Sequence, residues 1–374
     1  MLLCKGAIVV LRRILRLKLT PSQVLIIGFL VLIIVGAFLL QLPNASRGKA
    51  PLSLLDVLFT ATSAVCITGL TVVDTGTQFT EFGQFIIIML VQIGGLGIMT
   101  FSTLAAIILG RKIGLKERLL IQESFNQISM YGLVKLIKNV LLLTFSFELL
   151  GGLILSICFL RHYPPGQALA FGFFHAVSAF CNAGFDLFGQ VSGPFTSLVS
   201  YTNDWIVNLT IGGLLITGGL GFPVIVELFN YSSTGKLSLH SKLVLIMTFS
   251  LIIIGAVLIF FFEFNNINTM AGLDWPHKIL SALFQSVSLR SSGFSTMDIS
   301  QFRVSTWIIF IIFMFIGASP SSTGGGIKTT TFGLLLAAVI ATIRGREDAE
   351  ILERRIPKDL VYKAMTITML ALSW

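Results

Sequence analysis

Three short stretches of this 374-residue chain end on a glycine that is followed by a large apolar residue. They are Cys66-Ile67-Thr68-Gly69, Cys181-Asn182-Ala183-Gly184 and Arg290-Ser291-Ser292-Gly293, with Leu70, Phe185 and Phe294 after them. The glycines stand 115 and 109 residues apart, so the pattern is an internal repeat. Glycine tolerates the backbone angles that aim carbonyls at a common point, and it puts no side chain in the way. The chemistry on offer is oxygen ligation: a ring of carbonyls replaces the water shell of a cation, with Gly69, Gly184 and Gly293 around one ion. Catalytic chemistry does not assemble. His162, His175, His240 and His277 are scattered, and no Ser-His-Asp set or carboxylate pair can be argued. The four cysteines form no C-x-x-C pair, and Cys66 and Cys181 read as small buried hydrophobes rather than metal ligands.

The elements that must hold these glycines are legible in the apolar pattern. Ahead of each lies an apolar stretch: Pro51–Cys66, Pro165–Cys181 and Pro276–Arg290. At roughly 1.5 Å per residue these reach about 22 Å, too short to cross a bilayer, which predicts re-entrant helices. Each opens on a helix-start signal, Pro51 before Ser53, Pro164-Pro165, and Asp274-Trp275-Pro276. Between them run longer apolar segments, Gln23–Leu42, Phe85–Leu109, Val134–Leu160, Trp205–Phe229, Leu243–Phe264 and Thr306–Ile343, with a further one from Asp359 to Trp374. The unit is span, short helix, glycine stretch, span. The fold class is therefore an all-α polytopic membrane protein of repeated span–pore helix–span units. Repeat 1 covers residues 1–110, repeat 2 residues 111–235 and repeat 3 residues 236–345. Residues 346–374 are read as a cytoplasmic linker and the first span of a fourth repeat that the sequence does not complete.

Composition agrees. Hydrophobic residues make up 55% of the chain and charged residues only 11%. Soluble domains carry about 25% charged residues, so a cytosolic enzyme, a disordered chain and a disulfide-stapled module are excluded. Nineteen of the 26 Lys and Arg, from Lys5–Lys18, Arg111–Lys138, Lys236–Lys242 and Arg344–Lys363, fall on one side of the spans. That side is read as cytoplasmic, which puts the N-terminus inside. Acids including Asp56, Asp74, Asp186 and Asp298 outnumber the bases on the outer side, and an acidic vestibule concentrates cations. The excess basic charge reports topology and not nucleic-acid binding.

A second small-residue cluster follows in each unit: Gly94-Gly95-Leu96-Gly97, Gly218-Gly219-Leu220-Gly221 and Gly324-Gly325-Gly326. Gly94–Gly97 mimics a dinucleotide turn, but inside a spanning helix it reads as close helix packing. The third lies in Gly317-Ala318-Ser319-Pro320-Ser321-Ser322-Thr323-Gly324-Gly325-Gly326-Ile327-Lys328, at the centre of its span. Pro320 removes a backbone donor and the glycines remove helix propensity, so a mid-membrane break is expected. Lys328 at that depth must face water or a partner. Glu148 is an unexplained carboxylate in an apolar run. Asp298 is placed to neutralise Arg290.

These motifs resemble the Trk/Ktr/HKT superfamily of potassium transporters, and most of all the membrane subunit of a bacterial Ktr system. The resemblance rests on the three glycine stretches and on Ser319–Thr330. It implies a potassium-selective filter around a pseudo-fourfold pore, with Gly69, where some relatives carry serine and favour sodium, supporting potassium. It implies that Gly317–Lys328 is a gating loop, and it carries sodium dependence as an expectation. It implies a homodimer in the bacterial inner (plasma) membrane, with a separate KtrA-like cytosolic ring of nucleotide-binding regulatory subunits that docks on Gly110–Arg118 or Arg344–Lys358. Potassium is the transported ion, and no nucleotide is expected on this chain. Two other classes remain open: a coupled secondary transporter with an occluded central site, which would show discontinuous spans in paired halves, and an integral-membrane enzyme, which would need titratable groups clustered at one depth.

Overall fold

A computed structural model describes residues 21–48, 52–97, 100, 133–346 and 348–373. The basic N-terminal stretch, most of Arg111–Lys138, the second half of Phe85–Leu109 and the Gly110–Arg118 docking segment lie outside the described residues. What is described is mostly helical. The first unit contains α1 (Pro21–Leu40), α2 (Leu54–Val65) and α3 (Glu81–Leu96). The second contains α4 (Leu133–Phe159), α5 (Pro165–Phe180), α6 (Trp205–Leu220) and α7 (Phe222–Thr234). The third contains α8 (Leu239–Glu263), α9 (Trp275–Ser288), α10 (Val304–Phe315) and α11 (Thr329–Ile343). A hairpin of β1 (Glu350–Ile351) and β2 (Arg354–Arg355) then leads to α12 (Lys358–Ser373).

The helix starts follow from local chemistry. Ser53 accepts from the Asp56 N–H, and Asp204 accepts from the N–H groups of Ile206 and Val207. Pro165 and Pro276 occupy first-turn positions where no donor is needed. Among the described residues, three helical stretches are long and apolar enough to cross a membrane: Gln23–Leu40, Ile137–Phe159 and Leu239–Glu263. They turn apolar side chains outward. Ile26, Leu30, Ile34 and Phe38 form an exposed i, i+4 stripe on α1, and Ile253, Val257 and Phe261 do so on α8. Such a surface suits hydrocarbon rather than water.

The packing repeats as the sequence does. In each unit the first long helix lies against the short helix, α1 on α2, α4 on α5 and α8 on α9. The helix after the glycine stretch then contacts the short helix of its own unit and of the next: α3 touches α2 and α5, and α6 touches α5 and α9. One apolar core joins the first two units and extends to Ile252, Phe284 and Phe294 of the third, with Phe159, Phe180, Phe185 and Phe188 fully buried within it. A second lies within the third unit around Ile259, Phe310 and Phe313.

Two spans depart from expectation. Trp205–Phe229 is not one helix. It breaks at Gly221, and its two halves meet at 101°. Gly221 has φ +90° and ψ 136°, which no helix accommodates, and Pro223 then restarts a new one. In the first unit α3 ends at Leu96, and Gly97 has φ +80° and ψ 143°. The Gly94–Gly97 cluster therefore terminates a helix instead of lying within one. Its packing role stands: a Cβ on Gly94 would lie 2.2 Å from the Val65 carbonyl oxygen, and one on Gly218 would lie 1.8 Å from that of Phe180. Val65 and Phe180 are the last residues of α2 and α5, so each small residue seats the end of the short helix of its own unit.

Candidate functional site

The short helices α2, α5 and α9 all end where the glycine stretches begin. Their C-caps at Cys66, Cys181 and Leu289 donate to carbonyls four residues back. The next turn is left-handed at matching positions: Ile67, Asn182 and Ser291, two residues before each glycine, have φ +55°, +57° and +83°. Gly69, Gly184 and Gly293 follow with φ +74°, +73° and +85°. Side chains rarely accept that region, so the same uncommon backbone three times over is a property of the repeat. The Thr68 and Ala183 N–H groups bond back to Ser63 O and Ser178 O at 2.9 and 2.8 Å, and the Ser292 N–H bonds to Ser288 O at 3.1 Å. These bonds leave each stretch extended beyond its turn.

The three stretches converge. A Cβ placed on Gly69 would lie 2.5 Å from the Ala183 carbonyl oxygen and 3.4 Å from that of Ser292. One on Gly184 would lie 2.0 Å from the Ser292 oxygen. One on Gly293 would meet the Gly69 oxygen at 3.9 Å. Carbonyl oxygens of all three units thus share one small volume, which leaves no room for a side chain at Gly69 or Gly184. No other ligand chemistry accompanies them: no group of three His, Cys, Asp or Glu able to hold a metal occurs among the described residues.

Scaffolding around the second and third stretches is polar and buried. Ser178 Oγ donates to Phe185 O at 2.7 Å, and Ser288 Oγ donates to Phe294 O. His175 is fully buried in α5. Its Nδ1 lies 2.6 Å from Phe171 O, its Nε2 accepts from the Leu187 N–H at 3.2 Å, and its ring stacks on Phe188. The accepting role of Nε2 places the proton on Nδ1. Asp74, beyond the first stretch, accepts from the Thr77 N–H at 2.7 Å and from the Phe195 N–H at 2.9 Å, tying the outer loops of the first two units together.

Gly317–Lys328 forms an irregular loop between α10 and α11 and lies against two of these stretches. Gly317 N–H bonds to Ile327 O at 3.0 Å and Ala318 N–H to Gly325 O at 3.0 Å, which closes the loop on itself. Ser319 N–H and Thr323 N–H bond to the Gly219 and Gly218 carbonyls of α6. Thr323 Oγ1 donates to Phe180 O at 3.0 Å and lies 3.0 Å from the Asn182 side-chain amide. Gly325 N–H bonds to Ser291 Oγ at 2.8 Å. Ser322 Oγ donates to Ser319 O, and Ser319 Oγ lies 3.0 Å from Thr329 Oγ1. The Pro320 carbonyl and Gly221 are so close that a Cβ on the glycine would lie 2.5 Å from the oxygen. Lys328 Nζ donates to Gly324 O at 2.7 Å, so the loop answers its own charge. Gly326, with φ +76°, takes the place that Gly97 and Gly221 hold in the other units.

Two expectations fail here. Cys66 is exposed, whereas Cys181 is buried. The two cysteines share a motif position but not a wall, because α3 stands behind Cys181 and no described element covers Cys66. Arg290 and Asp298 form no ion pair. Asp298 instead accepts from Ser300 N–H and Oγ, closing its own turn, and Arg290 Nε is buried without a partner among the described residues. The structure also brings in Gln92, which sequence reading missed. Its amide donates to Glu148 Oε2 at 3.1 Å, and its oxygen accepts from Cys181 Sγ at 3.6 Å. A polar residue on a buried helix face is the signal that would have found it.

Comparison with known proteins decides the family. Residues 19–373 match the model of the TrkH family, described as a cation transport protein. The chain belongs to the TrkH family. It is 44% identical to the Ktr system potassium uptake protein B of Bacillus subtilis over 355 residues, which cover 95% of this chain and 78% of the relative. It is 36% identical to the potassium/sodium uptake protein NtpJ of Enterococcus hirae, covering 97% and 79%. The crystal structure of the potassium transporter TrkH from Vibrio parahaemolyticus shares the fold with a TM-score of 0.66 at 17% identity, covering 95% of this chain and 70% of that one. As a TrkH-family protein the chain is an all-α membrane transport protein, and its resemblance to the Trk/Ktr/HKT superfamily is borne out.

Proposed function

We propose that this chain is the ion-conducting subunit of a potassium uptake system. Potassium passes through a filter formed by the Cys66–Gly69, Cys181–Gly184 and Arg290–Gly293 stretches, with α2, α5 and α9 as pore helices. The observation that carries the reading is the convergence of the Gly69, Ala183 and Ser292 carbonyl oxygens, with no room for a Cβ on Gly69 or Gly184. Names of relatives from Bacillus subtilis and Enterococcus hirae support potassium as the cargo. The latter is named for both ions, which supports a sodium dependence of uptake. Gly317–Lys328 is the gate below the filter, since it bonds to Phe180, Ser291 and α6 without helical structure of its own. The protein acts as a homodimer in the bacterial plasma membrane with its N-terminus inside. A KtrA-like nucleotide-binding ring docks on Arg344–Lys358, where the β1–β2 hairpin is braced by Arg346–Glu350 and Arg355–Asp348 ion pairs.

The test is ion uptake by vesicles carrying the purified protein, with and without the regulatory ring. Gly69→Ser, Gly184→Ser and Gly293→Ser lower the preference for potassium over sodium. Deleting Ser321–Gly326 raises potassium flux and weakens nucleotide control with selectivity kept. Three serine variants with unchanged selectivity overturn the filter, and a folded deletion with normal regulation makes the loop a packing kink. A coupled secondary transporter is the second reading. The discontinuity between α6 and α7, together with that between α10 and α11, is the observation on its side.

A further inference from the structure

Behind the second glycine stretch three buried side chains from three elements form a line. Cys181, the C-cap of α5, donates its thiol hydrogen to Gln92 Oε1 on α3, and Gln92 Nε2 donates to Glu148 Oε2 on α4. Their exposures are 0%, 6% and 4%. Gly95 admits the thiol, for a Cβ there would lie 2.7 Å from Sγ. Among the described residues Glu148 has no ion-pair partner, and its Oε1 bonds to nothing. Thr144 Oγ1, one turn earlier on α4, also bonds to nothing. A carboxyl in an apolar span is costly, and for packing alone a leucine of similar size serves better. Among the described residues the equivalent positions in the other units have no such backing, Cys66 being exposed and Arg290 Nε unpartnered.

The line has a direction. A carboxyl oxygen facing Gln92 selects the amide orientation that presents Nε2 to it, and this leaves Oε1 toward Cys181. An oxygen there fixes the thiol as donor and holds its rotamer. Cys181 sits immediately before the left-handed turn at Asn182, and two residues before the Ala183 carbonyl that meets Gly69. We infer that Glu148 is a positioning residue for ion selectivity: through Gln92 it seats Cys181 and so sets the aim of the second filter stretch. The inference rests on the filter reading above.

Four variants, Glu148→Leu, Gln92→Leu, Glu148→Gln and the double Leu variant, are compared in vesicles for potassium preference in a mixed potassium and sodium medium. Thermal stability is measured in parallel. Each single Leu variant lowers the preference roughly two- to tenfold, the size of one net hydrogen bond. The double variant falls no further than either single, because both cut one line. Glu148→Gln restores most of the preference, since its amide oxygen still accepts from Gln92. A purely structural role changes melting and leaves the ratio untouched. A folded Glu148→Leu or Gln92→Leu protein with the parent preference overturns the inference, as do additive losses or a Glu148→Gln as poor as Glu148→Leu. Gly184→Ser in the same assay separates the two failures. If it too leaves the ratio unchanged, the filter reading falls; if it alone lowers the ratio, only the role of Glu148 does.

Discussion

The Cys66–Gly69 and Cys181–Gly184 stretches carry the same cysteine-x-x-glycine pattern and nearly the same backbone, with φ +55° and +74° in one and +57° and +73° in the other. Their surroundings differ. Cys181, Ala183 and Phe185 are buried, whereas Cys66, Thr68 and Leu70 are exposed. Ser178 Oγ holds Phe185 O, but the corresponding Ser63 Oγ is buried and bonds to nothing among the described residues. His175 and Gln92 hold the second stretch and its loop, and among the described residues nothing equivalent holds the first. Backbone conformation here is local: a helix C-cap and a short bond back to a serine carbonyl are enough to set it. Rigidity is not local, because it depends on which neighbours supply donors behind the turn.

The glycines offer the strongest way to break this comparison. Alanine at Gly184 drives a Cβ to 2.0 Å from Ser292 O and abolishes selective uptake. Alanine at Gly69 meets Ala183 O at 2.5 Å, and the exposed first stretch yields, so selectivity is reduced but measurable. Alanine at Gly293, with its nearest atom at 3.8 Å, has the mildest effect of the three, confined to the strain of its positive φ. Vesicle uptake with competing sodium ranks them, and a reversed order shows that crowding does not govern the site.

A smaller effect sharpens the contrast in rigidity. Ser178→Ala removes a buried hydrogen bond and leaves Phe185 O unpaired, costing about 1 kcal/mol of stability. Ser63→Ala removes only an unpartnered hydroxyl and leaves stability unchanged or slightly raised. Thermal denaturation in detergent compares them, and equal losses would erase the asymmetry. The mildest test is chemical. On a Cys4→Ser background, N-ethylmaleimide modifies Cys66 and spares buried Cys158 and Cys181 in the folded protein. Mass spectrometry of the intact chain reads a single adduct.

Much of this was legible beforehand. Apolar run lengths separated long helices from short ones, and Ser53, Pro165 and Pro276 marked the short helix starts within a few residues. The glycine spacing found the stretches that converge. The bend at Gly221 was hidden because both of its flanks are apolar, so hydropathy runs through it unbroken; Gly221-Phe-Pro223 was the available sign. The exposure of Cys66 and the Glu148–Gln92–Cys181 line were beyond reach. Pattern within one segment cannot tell which segment stands behind it, and Gln92 lies 56 and 89 residues from its two partners.

Gly221 joins α6 directly to α7, whereas the Gly317–Lys328 loop, with Gly326 near its end, joins α10 to α11. Mechanically, the second and third units are jointed rods rather than single struts. A pull on α7 turns it about a one-residue joint, and a pull on α11 works through the longer loop, while α6 stays clamped against the end of α5 and α10 against α8. Torque therefore reaches the loop at Gly317–Lys328, which is bonded across both joints, before it reaches the carbonyl ring. Under the proposed function, an ion path built this way opens from below while the oxygens that choose the ion keep their places.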